Sequence, residues 1–292
     1  MSNVSMELVK KLRDQTQVGM MDCKKALEDA NGDMEKAVEI LRKKGAAVAA
    51  KRADNVTNQG RVEAFINSDS TTGAIIEMAC ETDFSANTDS MKQFVLDVAE
   101  NLVESSATDI EALMGQQLRK KNLSVRQYLD ELVAKICENI KINRMARFQA
   151  TMGLVNVYIH PGSSIGVMVE LATDKNIDGA QREDLKTAAR DVCMQIAVTN
   201  PLCTQPSELD PAILQKEREL AREQLKGSGK PDNVIEKIIE GKLGKFYQDA
   251  CLLNQPFIKN DKLTIQSHLD EVGKKLGTKI TVKQFKRFAI GR

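Results

Sequence analysis

Two histidines, His160 and His268, and six cysteines, Cys23, Cys80, Cys137, Cys193, Cys203 and Cys251, are what this 292-residue chain offers for the commonest nucleophilic and metal chemistry. The cysteines stand far apart, with no CxxC pair and no Cys beside a His. Such spacing supports neither a zinc site nor a thiol-imidazole nucleophile. They read as reduced, mostly buried small hydrophobes of a cytosolic protein. Neither GxxxxGK(S/T) nor GxGxxG occurs, so the usual backbone cradles for phosphate are missing. The nearest approach, Pro161-Gly-Ser-Ser-Ile-Gly166, reads as a hairpin turn. Catalysis by those routes is poorly provisioned, and no catalytic residue, metal ligand or cofactor contact is assigned.

One stretch stands apart. Cys80 to Asn87, Cys-Glu-Thr-Asp-Phe-Ser-Ala-Asn, is an acidic loop with one aromatic residue, caught between an apolar strand pattern and a helix start. Its pair Asp83-Phe84 can serve as a probe of another molecule. A Phe in a strand-to-helix connection also serves as a core anchor, and local sequence does not separate the two.

The elements that must hold this loop follow from periodicity. Met6, Leu8, Val9 and Leu12, then Met21, Ala26, Leu27 and Ala30, then Met34, Ala37, Val38 and Leu41 recur at helical spacing. Gly19 and Asn31-Gly32 separate three short helices, with Asp33 as a cap of the third. Each is too short to be stable alone, so the three share one small core in a docking bundle over 1–45. Residues 46–58, Ala-rich, basic and then polar, read as a linker that begins as a frayed helix.

Beyond it lies an internal echo. GRVEAFINSDSTTGAIIEMACE from Gly60 and GLVNVYIHPGSSIGVMVELATD from Gly153 align without a gap at one offset, matching Gly60 with Gly153, Val62 with Val155, Gly73 with Gly166 and Glu77 with Glu170. Each copy is a hairpin followed by a helical pattern, so the fold class is α+β with two related hairpin-plus-helix subdomains, over 59–140 and 141–292. Helices are expected at about Ile110 to Lys121 and Ser124 to Glu138. At the place of Thr82-Asp83-Phe84 the second copy has Lys175-Asn176-Ile177, so the scaffold alone does not demand Asp-Phe.

Within the second subdomain, at about 210–256, Asp210-Pro211 starts a helix, Gly227 to Pro231 turn the chain, and Asp232 caps a second helix. The two make an antiparallel, protruding helical hairpin. A helix at Thr264 to Leu276 and a strand at Lys279 to Ala289 close the chain. On that strand Val282, Gln284, Lys286 and Phe288 alternate with Lys283, Phe285 and Arg287.

With 42 basic and 41 acidic residues, no overall field draws the chain to nucleic acid or membrane. There is no leader and no apolar run of 18 residues, so a soluble cytoplasmic protein is expected.

The chain resembles the bacterial elongation factor Ts family over essentially its whole length. Val18-Gly-Met-Met-Asp-Cys-Lys-Lys-Ala-Leu27 and Ala30-Asn-Gly-Asp33 are close to the N-terminal signature. Thr82-Asp-Phe-Ser85 matches a Thr-Asp-Phe-Val signature except at Ser85, and Lys135-Ile-Cys-Glu-Asn-Ile140 resembles another, with Cys137 where the family has Gly. Gly229-Lys-Pro231, Glu240-Gly241 and Gln255-Pro-Phe257 agree as well.

The resemblance implies a ubiquitin-associated-like front bundle and a guanine-nucleotide exchange factor for elongation factor Tu, without covalent chemistry. Thr82, Asp83, Phe84 and Ser85 would form the loop that disturbs the partner's Mg²⁺ site. Lys24, Ile136, Cys137, His160 and Ile258 match further partner contacts. It implies no cofactor, no direct nucleotide binding and no membrane or DNA partner, and is compatible with a homodimer in a 2:2 complex. A second reading, an RNA-associated scaffold, would use Lys283, Lys286 and Arg287 on the basic C-terminal strand.

Overall fold

The computed structural model describes residues 4–226 and 231–291. Three helices open the chain: α1 (Met6–Thr16), capped by Ser5; α2 (Met20–Asp29), entered from Gly19; and α3 (Met34–Arg52), capped by Asp33. Val9, Leu12, Val18, Cys23, Ala26, Leu27, Ala37 and Leu41 form their common core. α3 does not stop where the bundle does. It runs to Arg52 through residues that the sequence assigns to a linker, because Val48 and Ala49 pack against the next core and give that turn a buried face. At Gly45 a Cβ would lie 2.2 Å from the carbonyl oxygen of Asp130, so only glycine lets α3 approach that closely.

The first sheet contains β1 (Gln59–Ile66), β2 (Thr72–Cys80) and β3 (Lys141–Gln149), with β2 central and all pairs antiparallel. Between β2 and β3 come α4 (Asp83–Ala86), α5 (Asp89–Val103), α6 (Ile110–Met114) and α7 (Val125–Ile136). The helix expected from Ile110 to Lys121 is thus one short turn ending at Gly115. β3 belongs to the first sheet, so the boundary at 140 cuts one strand too early; β3 lies beyond the echoed segment, which gave no sign of it.

The second sheet repeats this with β4 (Leu154–Ile159), β5 (Ile165–Thr173) and β8 (Ile280–Ala289). α8 (Gly179–Thr199) covers it. Then come α9 (Pro211–Glu223), α10 (Asp232–Ala250), the small hairpin β6 (Pro256–Phe257) and β7 (Asn260–Thr264), and α11 (Ile265–Leu276). α9 and α10 share Ala221, Ile239 and Leu243 as a small core. Asp232 is the first residue of α10, not its cap; Pro231 holds that place and offers no side-chain acceptor. The turn from Gly227 to Lys230, with Gly229 and Lys230 of the hairpin motif, lies outside the described residues.

The echo is physical. The edge strands β3 and β8 each carry a β-bulge, with Asn143 or Lys283 as the extra residue, beside a buried glutamate of the central strand. The bulged strand meets that glutamate: Glu77 is met by Asn143 and Arg144, Glu170 by Lys283 and Gln284. Burying a carboxylate is costly unless it is paired, and both are. The sheets meet face to face over Val62, Ile75, Phe148, Val155, Met168 and Phe288, while α5 and α8 cover the outer faces. Gly73 abuts Val155 and Met168, and Gly166 abuts Val62 and Ile75, the same residues at the same offset. Val62 N donates to Ser163 O at 2.7 Å and Val155 N to Ser70 O at 2.8 Å. Two halves of one chain pack as two subunits would about a two-fold axis.

The bulge also breaks the alternation expected on β8. Val282 and Phe285, three residues apart, both meet the second core, and Phe288 meets the inter-sheet core.

Candidate functional site

β2 ends at Cys80, and the chain must leave the sheet without continuing it. Thr82 does this by capping: its extended backbone (φ −125°, ψ 152°) starts α4, and its hydroxyl accepts from Ser85 N at 3.2 Å. A four-residue helix cannot stand by its own hydrogen bonds. The carboxylate of Glu138 holds it, accepting from Thr82 N at 3.1 Å, Thr82 Oγ1 at 2.7 Å and Ser85 Oγ at 2.6 Å. Asn87 closes the turn from the other side, its Nδ2 donating to Asp83 O at 2.9 Å.

The turn is therefore gripped by Thr82 and Ser85 and leaves the residues between them outside. Ser85 is 3% exposed, whereas Phe84 is 82% exposed and Asp83 is exposed beside it. A Phe left in water forgoes about 1.5–3 kcal/mol of burial, so the fold gains nothing from its ring. Phe84 is therefore not a core anchor.

Neighbouring groups fix the base of the turn. Glu81 accepts from Asn139 N at 2.6 Å, Arg52 Nη1 at 3.0 Å and Asn55 Nδ2 at 3.1 Å. The Asn139 N–H, with help from Asn55 and Arg52, holds its carboxyl below the usual range. Asn139 in turn donates to the carbonyls of Ala53 and Asn55, which ties the end of α3 to the same place. Cys80 donates its thiol to Thr82 O at 3.1 Å; burial, with the nearby Glu138 charge, pushes it up to about 11. This thiol is a structural donor, not a nucleophile.

Glu138 also brings the second matched segment to the turn. Ile136 ends α7 half-buried against the first core, and Cys137 follows, exposed, in the left-handed region at φ 60°. That backbone is why glycine suits the position, and Cys137 occupies it at some strain. His160, exposed at the end of β4, opens the second hairpin turn and has Nδ1 3.0 Å from the Tyr158 hydroxyl. Arg61 connects that turn to the first: Nη1 donates to Ala86 O at 2.8 Å and Nη2 to Ser163 Oγ at 3.0 Å. Residues 82–86, 136–138 and the turn beginning at His160 thus form one linked group.

Lys24 and Ile258 stand apart from it. Lys24 is on the outer face of α2, 3.9 Å from Glu28, and Ile258 is 45% exposed in the turn between β6 and β7, its N–H donating to Gln195 Oε1 at 2.9 Å. Sequence reasoning passes over Glu138 and Arg61. Arg61 leaves one trace, a charged residue where the echo puts Leu154. Among the described residues no cluster of His, Cys, Asp and Glu could hold a metal ion, and no helix is long and apolar enough to cross a membrane.

The family model described as elongation factor TS matches residues 81–292, a match that begins one residue before the turn. The chain belongs to the elongation factor Ts family. Elongation factor Ts of Prosthecochloris aestuarii is 42% identical over 293 residues, spanning 100% of both chains. That of Clostridium perfringens strain SM101 is 42% identical over 288 residues, 99% of this chain and 93% of the relative. That of Lawsonia intracellularis is 39% identical over 292 residues, 99% of each. As an elongation factor Ts family member the protein is a translation elongation factor that serves protein biosynthesis.

Proposed function

We propose that this protein is a guanine-nucleotide exchange factor for elongation factor Tu, acting in the cytoplasm by binding alone. The observation that carries the reading is Phe84, 82% exposed on a turn whose flanking residues are tied down. A ring held out in this way enters an apolar slot of a partner without first being pulled from a core. Its burial there contributes about 1.5–3 kcal/mol, enough to favour a displaced conformation of that slot about 10- to 100-fold.

The Mg²⁺ of a GTPase bridges nucleotide phosphates and protein oxygens in a demanding octahedral shell. Shifting the elements around that shell loosens the nucleotide, and Asp83 beside the ring adds a negative charge near the same place. Coupling is reciprocal: a factor that binds the empty GTPase more tightly weakens nucleotide binding by the same ratio. Rebinding of GTP then ejects the factor, and no covalent step is needed. Ile136, Cys137 and His160 extend the contact around the turn; Lys24 on the front bundle and Ile258 on the second core supply separate grips. A homodimer within a 2:2 complex is consistent with this scheme.

The test is release of fluorescent GDP from purified elongation factor Tu on mixing with this protein. Wild type accelerates release and Phe84→Ala does not; equal release by both removes the wedge role. The RNA-scaffold reading has no support from the C-terminal strand. Lys283 pairs with the buried Glu170 at 3.0 Å, and Arg287 donates to Ala197 O, so two of its three cations are engaged within the fold.

A further inference from the structure

The near-symmetry of the two halves makes its exceptions informative. At the start of β4, Leu154 is fully buried in the second core. The equivalent residue of β1 is Arg61, equally placed in the ladder, opposite Met78 as Leu154 is opposite Leu171. Arg61 is 5% exposed, and its Nε is buried with no hydrogen-bond partner. A leucine there would avoid the desolvation of a guanidinium, so stability alone does not account for the arginine.

What the arginine reaches is the other exception. Its fork spans three groups: Ala86 O, the last carbonyl of the Asp83-Phe84 turn; Glu63 on its own strand; and Ser163 Oγ in the second half. Ser163 sits at φ 55°, donates its hydroxyl to Glu63 Oε1 at 3.1 Å, and accepts Val62 N on its carbonyl. The symmetry-breaking residue is thus bonded to the symmetry-breaking turn, and through Ser163 to the hairpin turn that carries His160.

We propose that Arg61 is a positioning residue for the Asp83-Phe84 turn, locking it against the second hairpin turn so that Phe84 and His160 are presented as one rigid surface. The proposal rests on the exchange reading for its consequence but not for its geometry. Loosening Arg61 leaves α4 tied by Glu138 and closed by Asn87 but detached from the second half, and the ring then samples orientations that do not meet the partner. Misplacing a reacting or wedging group by about 1 Å typically costs one to two orders of magnitude in rate.

The chain has no tryptophan, so Phe84→Trp provides a unique reporter on the turn. In that background three changes are compared by fluorescence anisotropy and acrylamide quenching: Arg61→Leu; Arg61→Leu with Glu63→Gln, which strands no carboxylate; and Ser163→Ala. All are expected to lower the anisotropy and raise quenching in protein that still melts cooperatively, Ser163→Ala least. Arg61→Lys keeps the charge but not the fork and is expected to behave like Arg61→Leu. In GDP release with Phe84 restored, the maximal rate falls about tenfold while the half-saturating concentration changes by less than about threefold, the signature of lost positioning. Unchanged anisotropy and quenching in both Arg61→Leu variants overturns the proposal. Should wild type fail to release GDP, the exchange reading falls, and the fluorescence result still decides the role of Arg61.

Discussion

Ser85 donates its hydroxyl to the carboxylate of Glu138 at 2.6 Å, from the position where the matched signature has valine. A residue that departs from the signature is therefore built into the grip on the turn. Glu138 also accepts two bonds from Thr82, so the two substitutions differ in weight. Ser85→Ala is expected to cost about 0.5–1.5 kcal/mol and Glu138→Ala more, about 1–3 kcal/mol, because it removes three hydrogen bonds, one of them from the hydroxyl of the buried Ser85. Urea unfolding of the two variants measures both; equal midpoints would show that Glu138 does not anchor the turn.

Phe84 and Phe94 are ten residues apart and opposite in role. Phe94 is completely buried under the first sheet, and Phe84→Ala removes a ring that touches little. Phe84→Ala is expected to leave stability within about 0.5 kcal/mol of wild type, while Phe94→Ala costs about 3–5 kcal/mol. The same Phe84→Ala protein is expected to lose about tenfold or more in GDP release, following the burial its ring forgoes in the partner. Function lost without stability lost is what separates a probe from an anchor.

Between the sheets, a Cβ on Gly166 would lie 2.4 Å from Val62 Cγ1. Gly166→Ala is therefore expected to destabilise by about 1–3 kcal/mol through overpacking. Val62→Ala removes the obstructing methyl groups, so the double variant is expected to lose less than the sum of the single losses. Gly73→Ala with Val155→Ala gives the equivalent cycle on the other side. Strict additivity in both cycles would contradict the close approach of the two sheets.

How far this was legible in the chain depends on what kind of signal each residue leaves. Asp33 caps its helix as its type foretells, and the hairpins follow the pattern of alternation around Ser- and Thr-rich turns. The repeat could be found because Gly60, Gly73 and Glu77 answer to a backbone strain, a close approach and a buried pair that recur in the other half. Tertiary pairing leaves no such trace. Val48 and Ala49 lie in a stretch of low helical amphipathicity, and only the core beneath them continues α3. β3 is polar along much of its length, with Lys141, Asn143, Arg144, Arg147 and Gln149, and its place in the first sheet follows from Arg144 meeting Glu77 across 67 positions. The exposure of Phe84 could be suspected from the missing Asp-Phe in the second copy, but the grip of Glu138, 53 positions from Ser85, could not.

The six cysteines differ sharply in access. Only Cys137 is exposed; the other five are buried, and burial pushes Cys80 up to about 11 and, with Cys203 beside it at 3.6 Å, Cys251 up to about 12. Thiolate is the reacting form, so both features slow the buried thiols. Titration of native protein with an aromatic disulfide at neutral pH is expected to show one fast thiol, lost in Cys137→Ser, with the others released only on unfolding. A second fast thiol in native Cys137→Ser protein would contradict the burial described here.

Glu81 sets an acid limit on the same region. Its carboxyl is held below the ordinary value of 4.5, chiefly by the Asn139 N–H. Because the folded value lies under the unfolded one, the unfolded chain binds the proton first. The stabilisation is complete above about pH 4.5 and is lost as pH falls through the folded value. Glu81→Gln removes that dependence, so wild type is expected to be the more stable above pH 4.5 and to converge on the variant as acid is added. Urea midpoints measured from neutral pH downward test this. Parallel curves for the two proteins would mean that the ionised carboxylate does not fasten Asn139, Arg52 and Asn55 at the base of the turn.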